Sequence, residues 1–216
     1  MEAQEEAEAI VLAGRPGYHS VGFDHETLWS GGDAANELFH AGTELLLRVM
    51  ESPRPLVIAC TGHSLGAAAL SLLCYDVRIG AAGDFRIGMD FVSQGVPVPD
   101  LAVELARIRL SPRHMTRACN TAEIYSPEGA AEAGFLDYVV TGDVVEQACE
   151  VAADLVKRLD PAAFAMTRVT ACRSLADVII RNAGDLWQMQ RVAQQSGATH
   201  PLLGRAPERP IDYYGD

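Results

Sequence analysis

Residues Gly62-His63-Ser64-Leu65-Gly66 set a hydroxyl, an imidazole and two glycines between the apolar run Pro55-Leu56-Val57-Ile58-Ala59-Cys60 and a small-residue stretch over 67–74. That order predicts a strand, a tight turn and a helix. Such a turn aims unsatisfied backbone N–H groups and the positive helix end at one point, where they can stabilise an oxyanion. It also matches the G-x-S-x-G spacing that raises a serine nucleophile on a sharp turn. Two chemistries are therefore open, ester hydrolysis through Ser64 and stabilisation of an enolate by backbone amides. Hydrolysis needs an acid and a histidine further along the chain. The downstream histidines are His114 and His200, and neither has a strand-end context.

The elements around this turn follow from apolar periodicity and from start and stop signals. A strand is expected over 9–13, closed by Gly14-Arg15-Pro16-Gly17, and a helix over 33–50 with Asp33 as N-cap, stopped by Pro53 and Pro55. The run 55–60 is apolar throughout, as in a strand covered on both faces of a parallel sheet. Shorter strands are expected at 77–79, 85–89, around Ile124, and over 135–140. Helices start at Pro99-Asp100, Ser111-Pro112 and Ser126-Pro127, and Asp143 with Glu146 opens another that ends near Arg158. Residues after Asp160-Pro161 read as helical to about Gln195, and 196–216 as an extended tail. The alternation argues for an α/β fold with a C-terminal helical extension.

Composition narrows the function classes. The chain has 216 residues, 49% hydrophobic, with 17 Lys+Arg against 29 Asp+Glu and a formal net charge of -12. That balance repels phosphate backbones and, without a basic stripe, argues against a nucleic-acid partner. Cys60, Cys74, Cys119, Cys149 and Cys172 are odd in number and widely spaced, as small hydrophobes in a reducing compartment are. No cysteine/histidine group has metal-ligand spacing, so no metal is expected. Neither a basic, apolar leader nor a run near the roughly 20 residues of a membrane helix is present, which makes the cytoplasm the expected location and a membrane an unexpected partner.

Several stretches resemble, in order, the motifs of the enoyl-CoA hydratase/isomerase family, the crotonases. They are Ile10-Val11-Leu12-Ala13-Gly14 with His19-Ser20-Val21-Gly22-Phe23-Asp24, then residues 55–70, then Asp76-Val77-Arg78-Ile79, residues 85–95, and Glu128 to Val140. The resemblance implies a crotonase-like spiral of ββα units over 1–140, a C-terminal helical region over 141–195 that drives trimer formation, and the tail over 196–216. It implies an acyl-CoA thioester substrate, no cofactor beyond the coenzyme A that the substrate carries, and a homotrimer or dimer of trimers. The oxyanion donors it implies are the backbone N–H groups of Phe23 and Ala67. Val21, Asp24, His25 and Gly66 then fall in the substrate-binding loops. His63 and Ser64 lie inside the turn, and Arg15 is a candidate for the coenzyme phosphates.

The chain departs from the family pattern where hydratases carry two glutamates. Gap-free alignment puts Leu70 and Phe91 at those positions, and neither side chain moves a proton. Asp90 is the nearest carboxylate to a family catalytic position. Asp100, just after Pro99, reads as a helix-start acid. The strand pair and helix that precede the first strand in family members are absent ahead of Ala9. The expected reaction is hydration or double-bond isomerisation of an enoyl-CoA, with decarboxylation, thioester hydrolysis or non-catalytic acyl-CoA binding as variants. An α/β-hydrolase-type serine esterase using Ser64 is the rival.

Overall fold

The computed structural model describes residues 7–94 and 97–182. Among the described residues, seven strands form two parallel sheets. Strands β1 (Ile10–Ala13), β3 (Leu56–Cys60), β5 (Val77–Ala81) and β7 (Tyr138–Val140) form the first, in that spatial order. Strands β2 (Gly17–Ser20), β4 (Gly62–Leu65) and β6 (Ile87–Gly88) form the second. The chain thus runs one strand in each sheet and repeats the step, β1 to β2, β3 to β4, β5 to β6. This is the expected spiral of paired strands and helices.

Strand β3 shows why a continuous apolar run is needed. Its side chains alternate between faces. Val57 and Ala59 pack with Ile79 against Val144, Ala148, Ala152 and Leu155 of α7 (Val144–Arg158). Leu56, Ile58 and Cys60 belong to the larger core on the other face. That core includes Leu70 and Leu72 of α3 (Ala67–Leu72), Leu105 of α4 (Asp100–Arg109) and Ala130 of α6 (Pro127–Ala133), beside Phe135.

The sequence expectations held for β1, β3 and β5 and for the helices opened by capping residues. Asp143 caps α7 through Val145 and Glu146 N–H, and Ser126 caps α6 through Gly129 N–H. Helix α5 (Pro112–Asn120) starts at its proline, and α8 (Pro161–Asn182) follows Asp160. Three expectations fail. Helix α2 (Gly32–Met50) is capped by Gly31, with Asp33 in its first turn, and a short helix α1 (His25–Ser30) precedes it. The segment read as a turn from Thr61 to Gly66 is mostly the strand β4. The strand expected around Ile124 is a single bridge between Ile87 and Tyr125. The helical continuation expected beyond residue 182, the tail and His200 lie outside the described residues.

The chain changes sheets at Gly62. A β-carbon there would stand 2.0 Å from both the carbonyl carbon and oxygen of Gly17, so glycine is required by close approach of β2 and not by a turn. Buried Arg78 ties β5 to the segment before β7, donating to both Asp137 carboxylate oxygens and to the Gly134 carbonyl. Arg168 of α8, also buried, donates to the Asp76 carboxylate and to the Met50, Val49 and Arg54 carbonyls. Among the described residues no helix is long and apolar enough to cross a membrane.

Candidate active site

Two loops meet where β2 and β4 end. After β2 the Ser20 hydroxyl accepts the Gly22 N–H at 3.2 Å, and Gly22 takes φ +95°. After β4, Gly66 takes φ +57°, donates to the Gly88 carbonyl and accepts from Leu70 N–H. A β-carbon on Gly22 would stand 3.2 Å from Ala67 N and 3.2 Å from the Leu65 carbonyl oxygen. The loops therefore touch at the residue preceding Phe23 and at Ala67 itself. The Phe23 and Ala67 N–H groups have no acceptor among the described residues. Backbone amides without an acceptor are the kind of donor that stabilises an oxyanion.

A carboxylate lies beside them. Asp90, 8% exposed, follows β6 and begins a short 3-10 turn over Val92–Gln94. Its Oδ1 stands 3.2 Å from where a β-carbon on Gly66 would be, and the Val21 carbonyl oxygen 3.9 Å from the same point. Its Oδ2 accepts from Gln94 Nε2 at 3.2 Å, and its carbonyl accepts from the Ser93 hydroxyl and the Gln94 N–H. Asp90 lies in the loop between β6 and that turn, so strand alternation does not set the direction of its side chain. Leu70, 5% exposed, sits in the core, and Phe91 packs partly buried against it, so neither supplies a carboxylate.

Other sequence candidates are placed elsewhere. Ser64 is fully buried in the middle of β4, between Ser20 and Ile87, with the Cys60 thiol as the polar neighbour of its hydroxyl. A serine nucleophile must stand exposed on its turn with a base beside it, so the esterase reading fails. The residue at the turn is Gly66. His63 occupies the opposite face of β4, its ring against Tyr18 and Phe85 and its Nδ1 accepting from Arg86 N–H, which makes it a packing residue. Asp24 caps α1 by accepting from Thr27 N–H, and His25 opens that helix. Arg15 is exposed, and its carbonyl holds the β1–β2 turn through Thr61 Oγ1 and Tyr18 N–H. His114 is buried beside Tyr125, and Asp100 stands in the exposed first turn of α4. The described residues contain no group of three or more potential metal ligands.

Sequence reasoning missed His19, a half-buried residue at a register shift between β2 and β4. Burial pushes its imidazole down to about 4, against an opposing hydrogen bond to the Ala59 carbonyl. Because the unfolded chain protonates this group near 6.5 and the folded chain resists, its contribution is complete above pH 6.5 and is lost as pH falls toward 4. Lowering the pH from 7.5 to 5 is expected to cost about 2 kcal/mol through this group. Urea unfolding at both values should show that loss in the native chain and a smaller one in His19→Gln. An equal loss in both would remove His19 from the account.

Comparisons with known proteins place the fold in a family. A family model described as enoyl-CoA hydratase/isomerase matches residues 1–194. A solved enoyl-CoA hydratase/isomerase family protein of Pseudomonas syringae is 34% identical with a TM-score of 0.78, over 82% of this chain and 77% of its own. A solved enoyl-CoA isomerase of Mycobacterium tuberculosis is 30% identical with a TM-score of 0.78, over 84% and 79%. Mouse mitochondrial enoyl-CoA delta isomerase 1 is 28% identical over 67% of this chain, and the match spans about half, 51%, of that relative's length. With a match reaching across most of its length, the chain belongs to the enoyl-CoA hydratase/isomerase family.

Proposed function

We propose that this chain binds an acyl-CoA thioester by its carbonyl oxygen, at the Phe23 and Ala67 N–H groups, and shifts a carbon–carbon double bond with Asp90 as the proton carrier. The observation that carries the reading is one carboxylate, that of Asp90, against Gly66 and next to the paired amides; the family resemblance adds leucine and phenylalanine where hydratases hold glutamates. Adding water across a double bond requires one group to activate water and another to protonate carbon. Moving a double bond requires one group that takes and returns the same proton. In a β,γ-unsaturated thioester, an Asp90 oxygen takes the proton from the α-carbon. The C–H electron pair moves into a dienolate whose oxygen rests on the two amides. The proton then returns to the γ-carbon and leaves the double bond between α and β. Atoms and charge balance without a cofactor other than the coenzyme A of the substrate. Exposed Met166 and Val169 on α8, 74% and 59% accessible, support association through this helix in the family's trimeric manner.

Incubation of the purified chain with a β,γ-unsaturated acyl-CoA tests the reading. The expected product has unchanged mass and the ultraviolet absorbance of a conjugated thioester. A water adduct formed from an α,β-unsaturated acyl-CoA would make the chain a hydratase, and thioester retention without turnover would make it a binder.

A further inference from the structure

We infer that Gly42, in the middle of α2, is a positioning residue for the Phe23 amide, because it forms the notch that receives the Phe23 ring. The inference rests on the reading that this amide holds the thioester oxygen. Glycine is the poorest helix former after proline, so a glycine ten residues into a 19-residue helix calls for a reason outside the helix. The structure supplies one. A β-carbon on Gly42 would stand 2.5 Å from Phe23 Cε1 and 2.6 Å from Cζ, closer than any real contact. On the same face, one turn earlier, the Phe39 ring meets the Phe23 ring edge-on, with centroids 5.2 Å apart and planes at 75°. Phe39 and Gly42, three residues apart on the helix, thus make a wall and a floor for one aromatic side chain.

What this seat fixes is the backbone. The ring hangs from the residue whose N–H has no acceptor among the described residues, and that residue follows Gly22, which packs on Ala67 N. Gly22 has a positive φ and no side chain, so it gives the loop little resistance to rotation. The Phe23 ring is the loop's side-chain anchor on α2, and the depth of its seat sets where the N–H stands relative to that of Ala67. A methyl group at position 42 lifts the ring, and the amide moves with it. Displacements of this size at a reacting centre can lower rates by up to about 100-fold.

The test is a double-mutant cycle in the full chain, read by thermal unfolding and by kinetics on the β,γ-unsaturated acyl-CoA. Gly42→Ala should unfold at the native temperature or below it, despite alanine's better helix propensity, and should lower kcat about 10- to 100-fold with KM changed less than threefold. In the Phe23→Ala background, where no ring needs the notch, the same Gly42→Ala change should raise the unfolding temperature and leave kcat within about twofold of Phe23→Ala alone. An equal effect of Gly42→Ala in both backgrounds, or an unchanged kcat for Gly42→Ala alone, would overturn the inference. If Gly42→Ala does not fold, folding of the double variant supports the notch and its failure to fold refutes it. If the native chain turns over no enoyl-CoA, the proposed function fails, while the sign of the unfolding shift still decides whether Gly42 seats Phe23.

Discussion

Asp90→Asn is expected to reduce turnover of a β,γ-unsaturated acyl-CoA by about 10²- to 10⁴-fold, the range supplied by a well-placed general base. The substitution is isosteric and keeps an oxygen for Gln94, whose Nε2 already donates to the Asp90 carboxylate. The oxyanion amides belong to the backbone of other loops, so thioester affinity should stay within a few-fold. Steady-state kinetics and equilibrium binding of a saturated acyl-CoA separate the two effects. A variant that turns over within fivefold of the native chain would remove Asp90 from proton transfer. Loss of binding together with rate would show instead that the residue shapes the loop after β6.

Arg168→Met is expected to destabilise the fold by about 3–5 kcal/mol, the usual cost of removing one partner from a buried charge pair. Arg168 is 6% exposed and satisfies the Asp76 carboxylate together with the last carbonyls of α2. Methionine fills similar volume and leaves those acceptors without their donor. The Asp76 carboxylate also accepts Leu56 N–H, so the loss reaches the start of the central strand. The control is Arg48→Met, which breaks the Arg48–Glu44 pair on the surface of α2, where the side chains are 64% and 61% exposed. That change should cost no more than about 0.5 kcal/mol. Urea unfolding of both variants gives the comparison, and similar losses would mean that Arg168 does not anchor α8.

How far the sequence disclosed this arrangement depends on whether each signal is local. Strand β3 is visible because both of its faces are covered and every residue is apolar. Helices α4 to α7 are visible because proline or a capping side chain marks where each begins. Strands β2 and β4 are not visible: Gly-Tyr-His-Ser and Gly-His-Ser-Leu carry no apolar pattern, and their pairing is with distant segments. Gly62 looks like a turn glycine in sequence and is a close-approach glycine in the structure. That confusion is what made Ser64 resemble an exposed nucleophile. At the site, the motif resemblance singles out Phe23 and Ala67, and the structure brings Gly22, which precedes Phe23, against Ala67. The proximity of Asp90 to Gly66 depends on the loop after β6, which strand alternation does not describe. The Phe23 ring on Gly42 joins two residues whose relation no periodicity records.

Every ladder in both sheets is parallel, and within each sheet neighbouring strands are two apart in chain order. Ile10 must find Leu56, Val57 must find Val77, and Ile79 must find Tyr138 before the larger sheet is complete. Among the described residues no two strands adjacent in sequence pair with each other to template the rest, so the search is dominated by long loop closures and folding belongs at the slow end for a chain of this size. Until β3 arrives, β1 presents an unpaired apolar edge. During synthesis that edge emerges long before its partner, which exposes the nascent chain to mispairing with other copies and makes its recovery in folded form sensitive to how fast it is made.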